Sequence, residues 1–204
     1  MTTSTPDATA PEGPSDHGHG DHGHGGHNLT GFVIFLLSES VIFLALFAGY
    51  AIYKTSSPLW LPPGVEGLEV AEPLRFTAVL VSSSGVIALA EQALHRGRLW
   101  QFRAWWLLTM AMGAVFLVGQ GLEWAGLPFG LGDGVYGSSF YLLTGFHGLH
   151  VLTGVLLMGL MLARSFRPGN YDAGSVGVTA VSLFWHFVDV IWVVLFLLIY
   201  IWKS

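Results

Sequence analysis

Two histidines three apart, His147 and His150, stand in the stretch TGFHGLHVLTG at residues 144–154, which is otherwise apolar. Imidazole is costly in hydrocarbon, yet it serves as a metal ligand, a haem ligand or a proton carrier. Other apolar stretches carry similar isolated groups. Glu39 lies in LLSESVIF, Glu91 precedes His95 by one helical turn, Gln120 and Glu123 lie in VGQGLEW, and His186 and Asp189 lie in FWHFVDVIW. Residues three or four apart share a helix face. His147, His150 and Gly154 therefore form one stripe, Ser182, His186 and Asp189 a second, and Ser84, Ala88, Glu91 and His95 a third. The glycine lets a neighbouring backbone approach, and Thr144 with Gly148 supplies a small-residue contact. Glu39 shares its face with Phe32, Phe35, Ile42, Phe43 and Leu46.

Each chemistry makes its own demand on spacing. A haem needs axial ligands on opposite sides of the macrocycle. His147 and His186 could supply them in principle, but no second pair completes a two-haem pattern. A dinuclear site needs Glu-x-x-His on two helices, and the chain has none. Interhelical hydrogen bonding, with imidazoles and carboxyls as partners, is the reading the spacing favours. Glu39 admits two readings. Among aromatic neighbours and away from any cation its carboxyl is held neutral; it then exchanges a proton or meets a lipid headgroup, or it is a protonated, hydrogen-bonded packing residue. The serines of SSSG at 82–85 lack the preceding glycine of an intramembrane protease nucleophile. No phosphate loop is present, and nothing pairs a nucleophile with a base.

The elements that must position these groups follow from composition. The chain has 204 residues, of which 52% are hydrophobic and 10% charged, against about 25% charged in an ordinary soluble domain. That is too little charge to cover a water-facing surface, and the fold expected is an all-α membrane bundle of five transmembrane helices. There is no cysteine, which excludes disulfides, thiolate metal sites and iron–sulfur clusters. The formal charge of −5 comes without a basic stripe, so no nucleic-acid partner is expected. Residues 1–28 read as a disordered His/Gly-rich tail, with neither signal nor transit peptide features. Its His17, His19, His22, His24 and His27 could bind Zn²⁺, Cu²⁺ or Ni²⁺ weakly, or form a solvated tail whose metal affinity is incidental. Residues 29–204 hold apolar runs at about 29–53, 74–95, 102–124, 139–164 and 176–202, each long enough to cross ~30 Å of hydrocarbon as a helix. Arg96, Arg98, Arg103, Arg164 and Arg167 fall on one side and Lys54, Arg75 and Lys203 on the other. The excess places the arginine side and the N-terminus in the cytoplasm and the C-terminus outside. Trp60, Trp100, Trp124 and Trp202 mark span ends as interfacial anchors.

The motifs DGVYGSSFYLLTGFHGLHVLTG and FWHFVDVIW resemble subunit III of the haem–copper cytochrome c oxidases, in a short five-helix bacterial form. LLSESVIFLALF resembles the span carrying that family's buried glutamate, which falls on Glu39, and LVSSSGVIALAEQALHRG and VGQGLEW resemble the two spans after it. The likeness runs through the membrane region and leaves out residues 1–28. Mitochondrial-type members have seven spans, and this chain lacks the counterparts of the first two, which form one arm of a lipid-filled cleft. Quinol oxidases have a subunit III of similar length, but their motif tends toward Thr-His-Gly-x-His-Val, which tilts the donor toward cytochrome c. The resemblance implies a subunit with no cofactor and no catalytic residue of its own, beside subunits I and II, which hold haem and copper. It implies bound phospholipid, support for proton uptake and sustained turnover, and a cytochrome c or similar carrier docking elsewhere on the complex. Glu39 is then the functional acid, at subunit I or a lipid, and Glu91, His95, Gln120, Glu123, His147, His150, His186 and Asp189 are an interhelical polar network. The competing readings are a standalone metal-handling transporter, which should show a polar pathway and repeats, and a small b-type cytochrome.

Overall fold

A computed structural model describes residues 24–57, 60–61, 68–169, 171 and 175–202, without the side chains of 24–28. His17, His19, His22 and Lys203 lie outside the described residues, and so do the side chains of His24 and His27. The elements are α1 (His24–Ser56), α2 (Ala71–His95), α3 (Leu99–Gly126), α4 (Gly134–Arg164) and α5 (Val176–Phe196), the last running into a π-helical turn, Leu197–Ile201. All five helices are long and apolar enough to cross a membrane.

The first four helices start earlier than the apolar runs. α1 begins at His24, inside the segment expected to be disordered, because extending an existing helix costs far less than nucleating one. α2 begins at Ala71 and carries Pro73 in its first turn, where a missing N–H leaves no carbonyl unpaired. The α2–α3 link is a Schellman turn: Gly97 takes φ +69°, Gly97 N–H donates to Leu94 and Arg98 N–H to Ala93. That tight turn forces α2 and α3 into antiparallel contact.

Helices α2, α3, α4 and α5 close a ring in which each packs on the next, and α1 lies outside it in the groove between α4 and α5. The share of the apolar window that is buried is 56% for α5 and 17% for α1, so α5 is the shared wall and α1 the peripheral one. The buried side of α1 runs through Leu36, Phe43, Phe47 and Tyr50, with Glu39 half-buried among them. Phe35 and Ile42, expected on the face of Glu39, are instead 45% exposed; the contact stripe is narrower than the sequence face because only one groove receives it.

Trp185 of α5, fully buried, occupies the centre of the ring. Its indole lies over Gly113 of α3 and Gly154 of α4, where an added Cβ would come within 2.6 and 2.8 Å of ring carbons. Gly154 thus admits an aromatic ring, where the sequence suggested a backbone. Gly154→Val should displace Trp185 and destabilise the bundle by about 1–3 kcal/mol. Gly159→Ala, whose Cβ meets only the Met110 methyl at 3.5 Å, should leave it nearly unchanged. Reversible unfolding in mixed micelles checks both; equal stability of the two variants would contradict the packing argument.

Candidate functional site

Glu39 on α1 and His150 on α4 meet where the two helices cross. Nε2 of His150 is 3.2 Å from Oε2 of Glu39, with the side chains 13% and 17% exposed respectively. The other ring nitrogen, Nδ1, lies 2.8 Å from the carbonyl oxygen of Phe146. A carbonyl only accepts, so Nδ1 carries a hydrogen. Nε2 is thus the nitrogen that faces the carboxyl, and the two groups lie within hydrogen-bond reach of one another, as polar groups in hydrocarbon must. Phe43 and Phe146 pack on the imidazole at 5.0 and 4.8 Å, and Phe184 stacks at 6.2 Å.

A second polar seam runs along α2 and α5. The Ser84 hydroxyl donates to Oδ2 of Asp189, and Nδ1 of His186 lies 3.0 Å from the same hydroxyl oxygen. Ser84 thus stands between the imidazole and the carboxylate. In a nucleophilic triad the serine proton goes to the imidazole and the carboxylate backs the ring; here the hydroxyl hydrogen is directed at the carboxylate, so Ser84 is a fastener. Toward one end of the seam Thr179 donates to Glu91 at 2.7 Å, with His95 at 3.8 Å from the same carboxyl. Toward the other, Trp192 donates its indole hydrogen to Thr77 at 2.9 Å, and between them Trp185 donates to Ser83 at 2.8 Å.

The remaining expected site residues lie apart. Gln120 donates to the Thr144 carbonyl at 2.8 Å across α3 and α4, lying over Gly148. Tyr200, in the π-helical turn, donates to Glu123 at 2.7 Å. His147 is completely buried, stacked on Trp192 at 4.7 Å and meeting Phe116 edge-on at 5.7 Å. Neither of its ring nitrogens has a hydrogen-bond partner among the described residues, so it joins helices by ring packing, in contrast to the hydrogen bonding expected of it. The eight network residues are thus several local fastenings, four of them gathered at the α2–α5 seam. Among the described residues no three His, Asp or Glu converge as a metal site would require.

The subunit III family of the cytochrome c oxidases matches residues 12–204. A cytochrome c oxidase subunit 3 of Synechocystis sp. is 45% identical over 175 residues, covering 85% of this chain and 75% of that protein. One of Thermostichus vulcanus is 44% identical over 175 residues, covering 85% and 87%, and one of Lumbricus terrestris 37% over 182 residues, covering 85% and 70%. The chain belongs to the cytochrome c oxidase subunit III family. It is a multi-pass membrane subunit of an oxidoreductase complex.

The donor set bears on haem within this subunit III chain. Both nitrogens of His150 are engaged, Nδ1 of His186 faces Ser84, and both faces of the His147 surroundings are filled by Trp192 and Phe116. His150 therefore has no nitrogen to offer an iron. The sequence reading overlooked the tryptophans of the bundle interior. Trp106, Trp185 and Trp192 are nearly or fully buried, and each indole N–H reaches an acceptor on another helix, that of Trp106 being the Met158 carbonyl at 2.9 Å. A tryptophan in mid-span needs such an acceptor, which was the available signal. A double-mutant cycle tests the α1–α4 pair. Glu39→Leu and His150→Leu, each of which removes the contact, should couple by roughly 0.6 kcal/mol or more in unfolding from mixed micelles; strict additivity would show that the two side chains do not interact.

Proposed function

We propose that the chain is a non-redox accessory subunit of an aerobic terminal oxidase, in which subunits I and II hold the haem and copper that reduce O₂ to water with proton pumping. It packs on subunit I, binds phospholipid, and supports proton uptake and sustained turnover, while a cytochrome c or similar carrier delivers electrons elsewhere on the complex. The names of the relatives as cytochrome c oxidase subunits support this donor over quinol. The complex resides in a bacterial energy-transducing membrane. The excess of Arg96, Arg98, Arg103, Arg164 and Arg167 at one end of the bundle supports a cytoplasmic N-terminus and an external C-terminus.

The observation that carries the proton role is the geometry of Glu39 and His150. A carboxyl on the least buried helix meets an imidazole of α4 at 3.2 Å, where a partner helix or lipid lies against α1. The remaining polar groups, Glu91, His95, Gln120, Glu123, His147, His186 and Asp189, hold the bundle in register and so fix the depth and facing of that pair.

Glu39→Gln keeps the volume and a donor toward Nε2 of His150 and removes the exchangeable proton. The variant complex should assemble with its haem-bearing partners, yet take up protons more slowly or lose activity sooner during continuous turnover. Stopped-flow proton uptake and the decay of O₂ consumption measure this. Kinetics and durability identical to the parent would reduce Glu39 to a packing residue, and purification of the chain without any haem-bearing partner would overturn the accessory-subunit reading itself.

A further inference from the structure

The central helix of the fold leaves one side uncovered. On α5, Leu183, His186, Val190, Val193 and Leu197 follow one another at spacings of three, four, three and four, the pattern of a seam that meets another helix. None of the five is buried, although α5 is the most buried span. The other sides of α5 are in use: Trp185 turns into the ring, Phe184 toward His150 of α4 and Phe187 toward Phe43 of α1. The seam therefore opens between α2, which His186 touches through Ser84, and α1. On the α2 side the face of Ser84 continues into Val81 and Ala88, three residues before and four after, and both are exposed.

His186 is the one polar residue of the seam. The Ser84 hydroxyl gives its hydrogen to Asp189, so the Ser84 oxygen accepts from Nδ1 of His186. With the hydrogen on Nδ1, the neutral ring keeps a lone pair at Nε2. Among the described residues Nε2 has no hydrogen-bond partner, and unlike the nitrogens of His147 it is not sealed off. His186 stands ten residues after the start of the span Val176–Ile201. That is about 15 Å along the helix, half of the ~30 Å of hydrocarbon, where neither water nor headgroups are at hand.

An open acceptor at that depth selects what covers the seam. Acyl chains carry no donor. Two copies in one membrane share their orientation, so a seam-to-seam dimer would set Nε2 against Nε2, acceptor against acceptor. A transmembrane helix of another subunit can bring a hydroxyl, an indole or an amide N–H, and such bonds join helices within membranes. One polar residue in an otherwise apolar seam also fixes the register of the helix that docks there.

We propose that the outer seam of α5 receives a transmembrane helix of subunit I, one side chain of which donates a hydrogen bond to Nε2 of His186. The proposal rests on the accessory-subunit reading above and gives it a docking surface and the chemistry of its central contact.

The test uses the complex purified in gentle detergent with its haem-bearing partners. The photo-crosslinker p-benzoylphenylalanine at position 190 should couple to a peptide of subunit I, identified by mass spectrometry. The same probe at position 118 of α3 should not; Val118 and Val190 are both 63% exposed. His186→Leu should lose subunit I about threefold faster on dilution into detergent. Ser84→Ala, which removes the internal bond and keeps the imidazole on the seam, should hold its partner like the parent. Val190→Trp, at a position the bundle does not pack on, should also expel the partner helix, and it carries the test where His186→Leu fails to fold. Crosslinks from position 190 only to lipid or to a second copy would overturn the proposal, as would partner loss at the parent's rate in both His186→Leu and Val190→Trp. Haem would still co-purify with the chain in that case, so the accessory-subunit reading would stand; it falls only where the parent chain purifies without haem.

Discussion

Hydrocarbon offers no water to a polar atom, and the architecture of this bundle follows from placing partners for such atoms across helix interfaces. The interface of α2 with α5 shows how. Trp192 to Thr77, Trp185 to Ser83, Ser84 to Asp189 and Thr179 to Glu91 join the two helices at roughly one contact per turn. Each bond is worth little by itself, about 0.6 kcal/mol on average in a membrane. Their value lies in register. A slip of one residue would leave several buried donors unpaired together, each at a cost of about 1–3 kcal/mol. The polar contacts therefore specify one packing among the many that apolar helices would otherwise accept.

The same constraint explains why α5 is the shared wall. It carries Trp185, Asp189, Trp192 and Tyr200, which turn toward α2, α3 and α4. Holding so many large residues in place needs room, and Gly113 and Gly154 supply it: an added Cβ at each would come within 3 Å of the Trp185 ring. At its far end α5 loosens into a π-helical turn, and Tyr200 there reaches Glu123 while Lys54 of α1 donates to the carbonyl of Trp202 and lies over its ring. The lysine ties the peripheral helix to the central one at the membrane boundary, where its ammonium can also remain hydrated.

The number and class of the helices were legible because a span in lipid needs both length and low charge, and neither signal is subtle. Helix starts were less so. The glycines and histidines at 24–28 read as tail by composition, yet an adjoining apolar helix continues through them. Facing was half legible. His186 and Asp189, which the spacing put on one side of α5, both meet Ser84, but on α1 the same rule assigned Phe35 and Ile42 to a contact that the groove is too narrow to include. Partnership was the least legible. Sequence spacing groups His147 with His150, and three residues along a helix still rotate a side chain by about 60° from alignment. That rotation sends His150 to Glu39 on α1 and His147 into the aromatic interior against Trp192 and Phe116.

The divergence of these two histidines bears on function more than their proximity does. His147 is sealed on every side, so a proton reaching it would need the bundle to open. His150 is packed by Phe43, Phe146 and Phe184 and meets a carboxyl on the one helix that is mostly unburied. Aromatic packing fixes the imidazole, and the Nδ1 contact with the Phe146 carbonyl fixes which nitrogen faces that carboxyl. Glu39 is thereby the outward end of the pair and His150 its anchor. α1 is the helix left mostly unburied, so what lies against it sets the access of water to that carboxyl. The sensitivity of the site is thus built into the peripheral position of α1, while the ring of α2 to α5 holds its inner half still.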